Sequence, residues 1–238
     1  MKKNVFVLAL FCFVSMMANA EVAKYCMSYE DFVADNWKSL DELTAGRTKQ
    51  VCQIKSGDHG VYYFKTGDKK SDQVLKKEAF AVMYGKQLFV NCRNLKCNNV
   101  GLETSKYVQA VRYDKNKICI LAFKTDGVTA VAAFGTAAVG LFAGNTTSRL
   151  GWTTTSVALG VINSDLSNLK CYLLDSGANE QGKTAVTRIN DEFMTELLVD
   201  DAPLLERYNA IKAKHNRQSA ANILPILMEK GLVESASN

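Results

Sequence analysis

Two prolines and two histidines are all that this 238-residue chain holds of either type, and each scarcity closes off a class of protein. So few prolines exclude a collagen-like or proline-rich stalk. Two imidazoles, His59 and His215, leave little from which to build a histidine-rich metal centre. Neither G-x-S-x-G nor H-E-x-x-H occurs, so the sequence carries no sign of the serine-hydrolase elbow or the zinc-protease helix. A formal charge of +5 is too small and too scattered to serve as a nucleic-acid footprint. What is present is ordinary for a globular chain: 47% hydrophobic and 22% charged residues, too apolar for a disordered tail.

The N-terminus reads as an export signal. Lys2 and Lys3 precede an apolar run over 5–14, and Ala18-Asn19-Ala20 supplies a small-x-small cleavage pattern. Residues 1–20 are therefore expected to be a signal peptide. The mature chain would begin at Glu21 and reside in the periplasm, at the outer membrane or outside the cell. Phe11 precedes Cys12 where a lipid-anchored cysteine needs a small residue, so no lipid anchor is expected. Losing Lys2 and Lys3 lowers the net charge from +5 to +3, which gives no steering toward DNA, RNA or anionic lipid.

Beyond the leader stand Cys26, Cys52, Cys92, Cys97, Cys119 and Cys171. Export permits disulfides, and six cysteines leave 15 full pairings open. Cys92 and Cys97 flank a short polar loop and are the candidate pair. A zinc site wants a second close pair, and there is none. No metal and no cofactor is expected.

Residues 21–238 read as one α+β domain. Ser28, with Asp31 three residues on and Met27 facing Phe32, starts a helix whose stripe Phe32, Val33, Trp37 and Leu40 runs toward Gly46. Runs rich in β-branched and aromatic residues at 51–55, 61–65, 79–84 and 87–92 read as strands, with Gly85-Lys86 as a hairpin turn. A second hairpin joins 107–113 to 118–123, and 170–175 adds a strand. The expected sheet is mostly antiparallel with six to eight strands. Residues 186–231 are expected to be helical: Asn190 caps one helix, Asp201-Ala202-Pro203 opens another, and Asn222 with Pro225 opens the last. The basic stretch 212–217 reads as a solvated face.

Residues 127–144 carry no charge and are rich in Ala, Gly, Val and Phe, with Gly140 and Gly144 at close-packing spacing. A second apolar stretch covers 157–162. The length reaches the membrane-span threshold. However, its six strongly apolar residues supply only about −2 to −3.5 kcal/mol of insertion energy, opposed by glycine and threonine. Residues 127–162 thus read first as a helical hairpin packed on the soluble core. A hairpin touching a membrane or protein partner and a true span are the alternatives.

Two motifs imitate chemistry. Gly177, Gly182, Lys183 and Thr184 fit the phosphate-binding loop G-x-x-x-x-G-K-[ST], in which Lys183 reaches phosphate and Thr184 holds magnesium. Export removes the chain from ATP and GTP, and too few residues follow for the parallel strands of that fold. A strand-to-helix turn is the simpler expectation. Overlapping it, Leu173-Leu174-Asp175-Ser176-Gly177-Ala178 resembles the active-site turn of retroviral-type aspartic proteases, where Asp175 would share a proton with its copy in a dimer. The strands that should follow are replaced by acidic helix starts. No local signature pairs a thiol with His59 or His215 as nucleophile and base.

The segments Tyr62-Tyr63-Phe64-Lys65-Thr66-Gly67-Asp68-Lys69-Lys70-Ser71-Asp72, Leu88-Phe89-Val90-Asn91-Cys92-Arg93 and Asn222-Ile223-Leu224-Pro225 are similar to those of uncharacterised exported proteins of Bacteroidetes-type gut bacteria. The resemblance implies an envelope location and no activity. The leading expectation is an exported, non-enzymatic envelope protein that works by binding or by association with a membrane or protein partner, with residues 127–162 the candidate contact and no catalytic residues. An exported enzyme using Lys183 or Asp175, and a module with a ligand pocket between sheet and helices, are the alternatives.

Overall fold

A computed structural model describes residues 23–43, 53–56, 61–98, 100–102, 106–123, 166–178 and 182–233. The architecture is α+β. A mostly antiparallel sheet is built from β1 (Ala23–Cys26), β2 (Lys38–Ser39), β3 (Gln53–Ser56), β4 (Val61–Lys65), β5 (Ala81–Tyr84), β6 (Gln87–Asn91), β9 (Tyr107–Tyr113), β10 (Lys117–Phe123), β11 (Leu169–Leu174) and β13 (Thr187–Arg188). Its main path runs β13-β11-β10-β9-β6-β5-β1-β2. β7 (Leu95–Cys97), β8 (Val100–Gly101) and β12 (Thr184–Ala185) form a separate three-stranded sheet in which β12 pairs with β7 in parallel.

The sheet forks at β9. One edge of β9 pairs with β6, and Tyr107 meets Asn91 there. The opposite edge is shared: Tyr107 and Val108 pair with β4, whereas Ala110 to Tyr113 pair with β10. The period-2 alternation of these strands then sends side chains to two faces. Val108, Ala110, Ile118, Ile120, Tyr172 and Leu174 face a core closed by α1 (Tyr29–Val33) and the small sheet. On the other face, Val111, Cys119, Leu121, Cys171 and Leu173 lie under four C-terminal helices: α4 (Asp191–Leu197), α5 (Ala202–Asn209), α6 (Lys214–Arg217) and α7 (Ala220–Glu229). The fork leaves that same face with a second core, where Tyr107, Phe89 and Phe64 meet edge to face beneath α2 (Leu40–Leu43) and α3 (Lys69–Lys77).

Local signals place most ends. Ser28 Oγ accepts from Asp31 N at 3.1 Å, and Asp31 Oδ2 accepts from Met27 N at 3.2 Å, a reciprocal cap. Asn190 and Asp201 cap α4 and α5 by accepting from Phe193 N and Leu204 N. Three expectations need correction. The first helix stops at Val33 because Asp35 turns left-handed, with φ +54°, and its stripe divides: Phe32 enters one core, Leu40 another. The last helix begins at Ala220, so Pro225 lies inside it. The Cys92–Cys97 disulfide is not formed. Cys92 opens a 3-10 turn and Cys97 lies on β7, both thiols are buried in one core without a disulfide, and Cys26, Cys119 and Cys171 form no disulfide either.

Among the described residues no helix is long and apolar enough to cross a membrane. The insert 127–162 and the leader 1–20 lie outside the described residues. Phe123, the last residue of β10, is the register partner of Leu169, the first of β11. The chain therefore leaves and re-enters the sheet at neighbouring positions around residues 124–165.

Candidate functional site

The residues flagged by sequence fall in two places: Asp175 and Gly177 after β11, and Gly182, Lys183, Thr184 and Cys97 on the small sheet, with Cys92 just before it. Asp175 follows the end of β11 and is exposed. It lies near α1, where burial first, then the Asp175 charge and then Glu30 raise the Tyr29 hydroxyl above its ordinary value. Tyr29 donates to Asn116 O at 2.5 Å, and the Glu30 carboxylate lies over Gly177, where a Cβ would meet its Oε1. This turn is packed against a helix by side chains that belong to the fold.

Gly182, Lys183 and Thr184 sit on the small sheet. Gly182 takes φ +68°, and Thr184 is buried and begins β12. The chain continues through β13 before α4 starts at Asp191, so no helix N-terminus follows the lysine. The strand-to-helix turn expected from the sequence is in fact a turn into a strand. Thr184 pairs with Leu95 and Ala185 with Lys96, which places Lys183 on the same face as Lys96. Contact with Lys183 lowers the Lys96 amine from its ordinary value. Cys92 and Cys97 are interior, and burial raises the Cys97 thiol. Among the described residues no group of His, Cys, Asp and Glu is arranged to hold a metal ion.

Sequence reasoning missed the C-terminal helices as a source of polar structure. Asp191, at the first turn of α4, accepts from Arg217 Nε and Nη2 of α6, both at 2.9 Å, and from the Tyr208 hydroxyl of α5 at 2.8 Å. The Arg217 guanidinium also lies over the Tyr208 ring, 5.6 Å from its centre. Beside it Lys170, buried in β11, donates to His215 O at 2.8 Å. The basic stretch 212–217 is thus an anchoring element as well as a surface.

The outer side of α4 carries a shallow hollow of about 480 Å³ lined by Asp191, Glu192, Thr195, Glu196 and Val199. Val199 is 66% exposed, and Met194 and Leu198 hold the opposite side of the helix in the core. The signal for this face was visible in the sequence as acids at 191, 192, 196, 200 and 201; the first turn of α4 accounts for Asp191 and Glu192, and the cap of α5 for Asp201.

Residues 24–233 match a family of unknown function (DUF6563). The chain belongs to that family. No curated protein and no solved structure matches it. The DUF6563 match takes in the three cores apart from Ala23, the small sheet and the four C-terminal helices.

Proposed function

We propose that this DUF6563 chain is an exported bacterial envelope protein that acts by binding, associating with a membrane or protein partner through residues 127–162. The observation that carries the reading is the pairing of Phe123 with Leu169. It makes residues 124–165, with their uncharged run at 127–144, the connection between two antiparallel neighbouring strands. The placing of Asp175 after β11 and of Lys183 on the small sheet favours binding over catalysis.

The test replaces residues 127–162 by a short Gly-Ser connection and compares fractionation of the two proteins expressed in a Gram-negative host. Wild type is expected in the membrane fraction or in a larger complex, and the shortened protein free. Equal recovery of both as free protein removes the association. N-terminal sequencing of the exported product is expected to begin at Glu21, and an intact Met1 would remove export.

A further inference from the structure

The four lysines of α3 share one side of the helix. At about 100° per residue, Lys69, Lys70, Lys76 and Lys77 fall within an arc of about 120° opposite the buried Ser71 and Leu75. Lys69 and Lys70 stand in the first turn, where the positive end of the helix dipole disfavours a cation, so helix stability does not account for them. The nearby acids are directed elsewhere: Asp68 accepts from Ser71 N and Oγ, and Asp72 accepts from Thr66 N and Oγ1. Glu78, exposed just after the helix, falls outside the arc. Among the described residues none of the four lysines has an ion pair. Arg93 donates from Nη1 to Lys77 O at 3.3 Å and extends the cationic face past the end of α3.

Two other features meet this face at the same end of the sheet. Tyr107 opens β9 and Phe123 closes β10, its antiparallel neighbour, so both mark one end. α3 packs there, with the Tyr107 hydroxyl donating to Leu75 O at 2.5 Å and Asn91, the register partner of Tyr107, donating to Ala79 O at 3.1 Å. Phe123 and Leu169 are also where residues 124–165, with the uncharged run 127–144, join the sheet. β4 continues past its pairing with Tyr107 at this end and presents Tyr63, 37% exposed, with Lys106 Nζ 4.8 Å from its ring centre.

We infer that this end of the sheet rests on a bilayer bearing anionic headgroups. The α3 lysines meet the headgroups, and the Tyr63 ring lies at their level. An acidic protein would satisfy the lysines but gives no role to the uncharged run joined at the same end. A bilayer meets both, because a basic face and an apolar element anchor together where either alone is weak. The small net charge gives no steering as a whole, but a face about one Debye length across, roughly 10 Å, acts through its local charge. The inference rests on the binding reading above and names the membrane, with its lipid class, as the partner.

The probe is phosphatidylcholine vesicles with and without phosphatidylglycerol, sedimented with the full mature chain. Binding is expected to be roughly tenfold or more stronger to the anionic vesicles and to fall as salt rises. The variant Lys69→Gln/Lys70→Gln/Lys76→Gln/Lys77→Gln is expected to lose about tenfold or more of that binding. Lys86→Gln/Lys115→Gln removes exposed charges from the turns at the opposite end of the sheet and is expected to bind as wild type. Tyr63→Ser is expected to weaken binding about two- to threefold while the salt dependence stays the same. All these side chains are exposed, and circular dichroism confirms the fold of each variant. Equal binding to neutral and anionic vesicles, binding unaffected by the fourfold variant, or an equal loss in the opposite-end variant overturns the inference. So does saturable binding of hexaglutamate without vesicle binding, which assigns the face to an acidic protein. Lysine-dependent binding that persists after replacement of 127–162 sustains the inference even where fractionation removes the reading above. Fractionation that depends on 127–162, with vesicle binding indifferent to the lysines, keeps that reading and overturns this inference.

Discussion

Asp191 and Arg217 form a two-pronged ion pair, with guanidinium Nε and Nη2 each 2.9 Å from a different carboxylate oxygen. The pair joins the start of α4 to the end of α6, and Tyr208 adds α5 to the same carboxylate. Arg217 also donates from Nη1 to Ile211 O at 3.1 Å, which fixes the link between α5 and α6. Three short helices, none long enough to be stable alone, are thereby held in one arrangement over the sheet.

Removing this pair is expected to loosen the whole helical layer. Both side chains are mostly buried, at 20% and 28% exposure, so the effect exceeds that of a surface pair. Arg217→Ala is expected to cost about 1–3 kcal/mol and Tyr208→Phe about 1 kcal/mol, read from urea unfolding. A loss below about 0.5 kcal/mol for Arg217→Ala would show that apolar packing alone holds the layer.

The same pair sets an acid limit. Hydrogen bonding from Arg217 holds the Asp191 carboxyl well below the ordinary carboxylate range, with burial opposing and the Tyr208 hydroxyl assisting. A depressed folded-state value gives stabilisation that is complete above the unfolded value of about 4 and is lost as pH falls below it. Asp191→Asn is therefore expected to be less stable than wild type at pH 7, with a gap that narrows progressively as pH falls below about 4. A gap that stays constant over this range would show that Asp191 is not ionised in the pair.

Much of the fold was legible because its signals are local. The caps at Ser28, Asn190 and Asp201, the Gly85 turn with φ +58°, and the apolar runs of β4, β9 and β10 each declare themselves within a few residues. What was not legible depends on chain separation. Asp191 and Arg217 stand 26 residues apart, and each looks like a solvated charge until the helices fold back. Lys69–Lys77 escaped as a helix because one leucine and one valine among lysines give a weak stripe, and Leu75 alone reaches the core. The Gly182-Lys183-Thr184 run misleads for the same reason. A motif fixes residue types, but whether a helix or a strand follows is decided by pairing with β7, far back in the chain.

Asn91 is a buried cap for α3. Its Nδ2 lies 3.1 Å from Ala79 O, 3.3 Å from Lys76 O and 3.4 Å from Leu75 O, while its Oδ1 accepts from Arg93 N at 3.1 Å. Helix C-terminal carbonyls have no intrahelical donors, and burial keeps water from replacing this amide. Asn91→Leu is expected to cost about 2–3 kcal/mol despite being more apolar. Tyr107→Phe, which removes a 2.5 Å bond to Leu75 O, is expected to cost about 1 kcal/mol. A neutral Asn91→Leu in urea unfolding would show that the carbonyls find other donors.

The thiols are expected to be inert until the chain unfolds. Burial, with a smaller contribution from Asp31, pushes Cys26 up to about 12, and burial followed by contact with Cys119 raises Cys171. Thiolate is the reactive form, so at pH 8 Cys26 and Cys171 have almost none. Iodoacetamide is expected to leave Cys26, Cys119 and Cys171 unmodified in the native protein. In denaturant without reductant it is expected to modify all three together with Cys92 and Cys97. Recovery of a linked Cys92–Cys97 peptide from the unreduced protein would overturn the free-thiol arrangement.

Gly177 separates the fold's reading of the 175–184 segment from a catalytic one. A phosphate loop or a protease turn needs this glycine for its backbone, whereas here the atom nearest an added Cβ is the Oε1 of Glu30. Glu30 is exposed, and its carboxylate is the far end of a flexible side chain that can swing into solvent. Gly177→Ala is therefore expected to lower the melting temperature by less than about 2 °C, a change of roughly 0.5 kcal/mol for a domain of this size. Adding Glu30→Ala is expected to erase even that difference, because the crowded atom is then gone. A fall of more than about 4 °C that persists in the double variant would mean that the backbone at 177 is constrained by something other than Glu30, and the segment would then regain its claim to a functional turn.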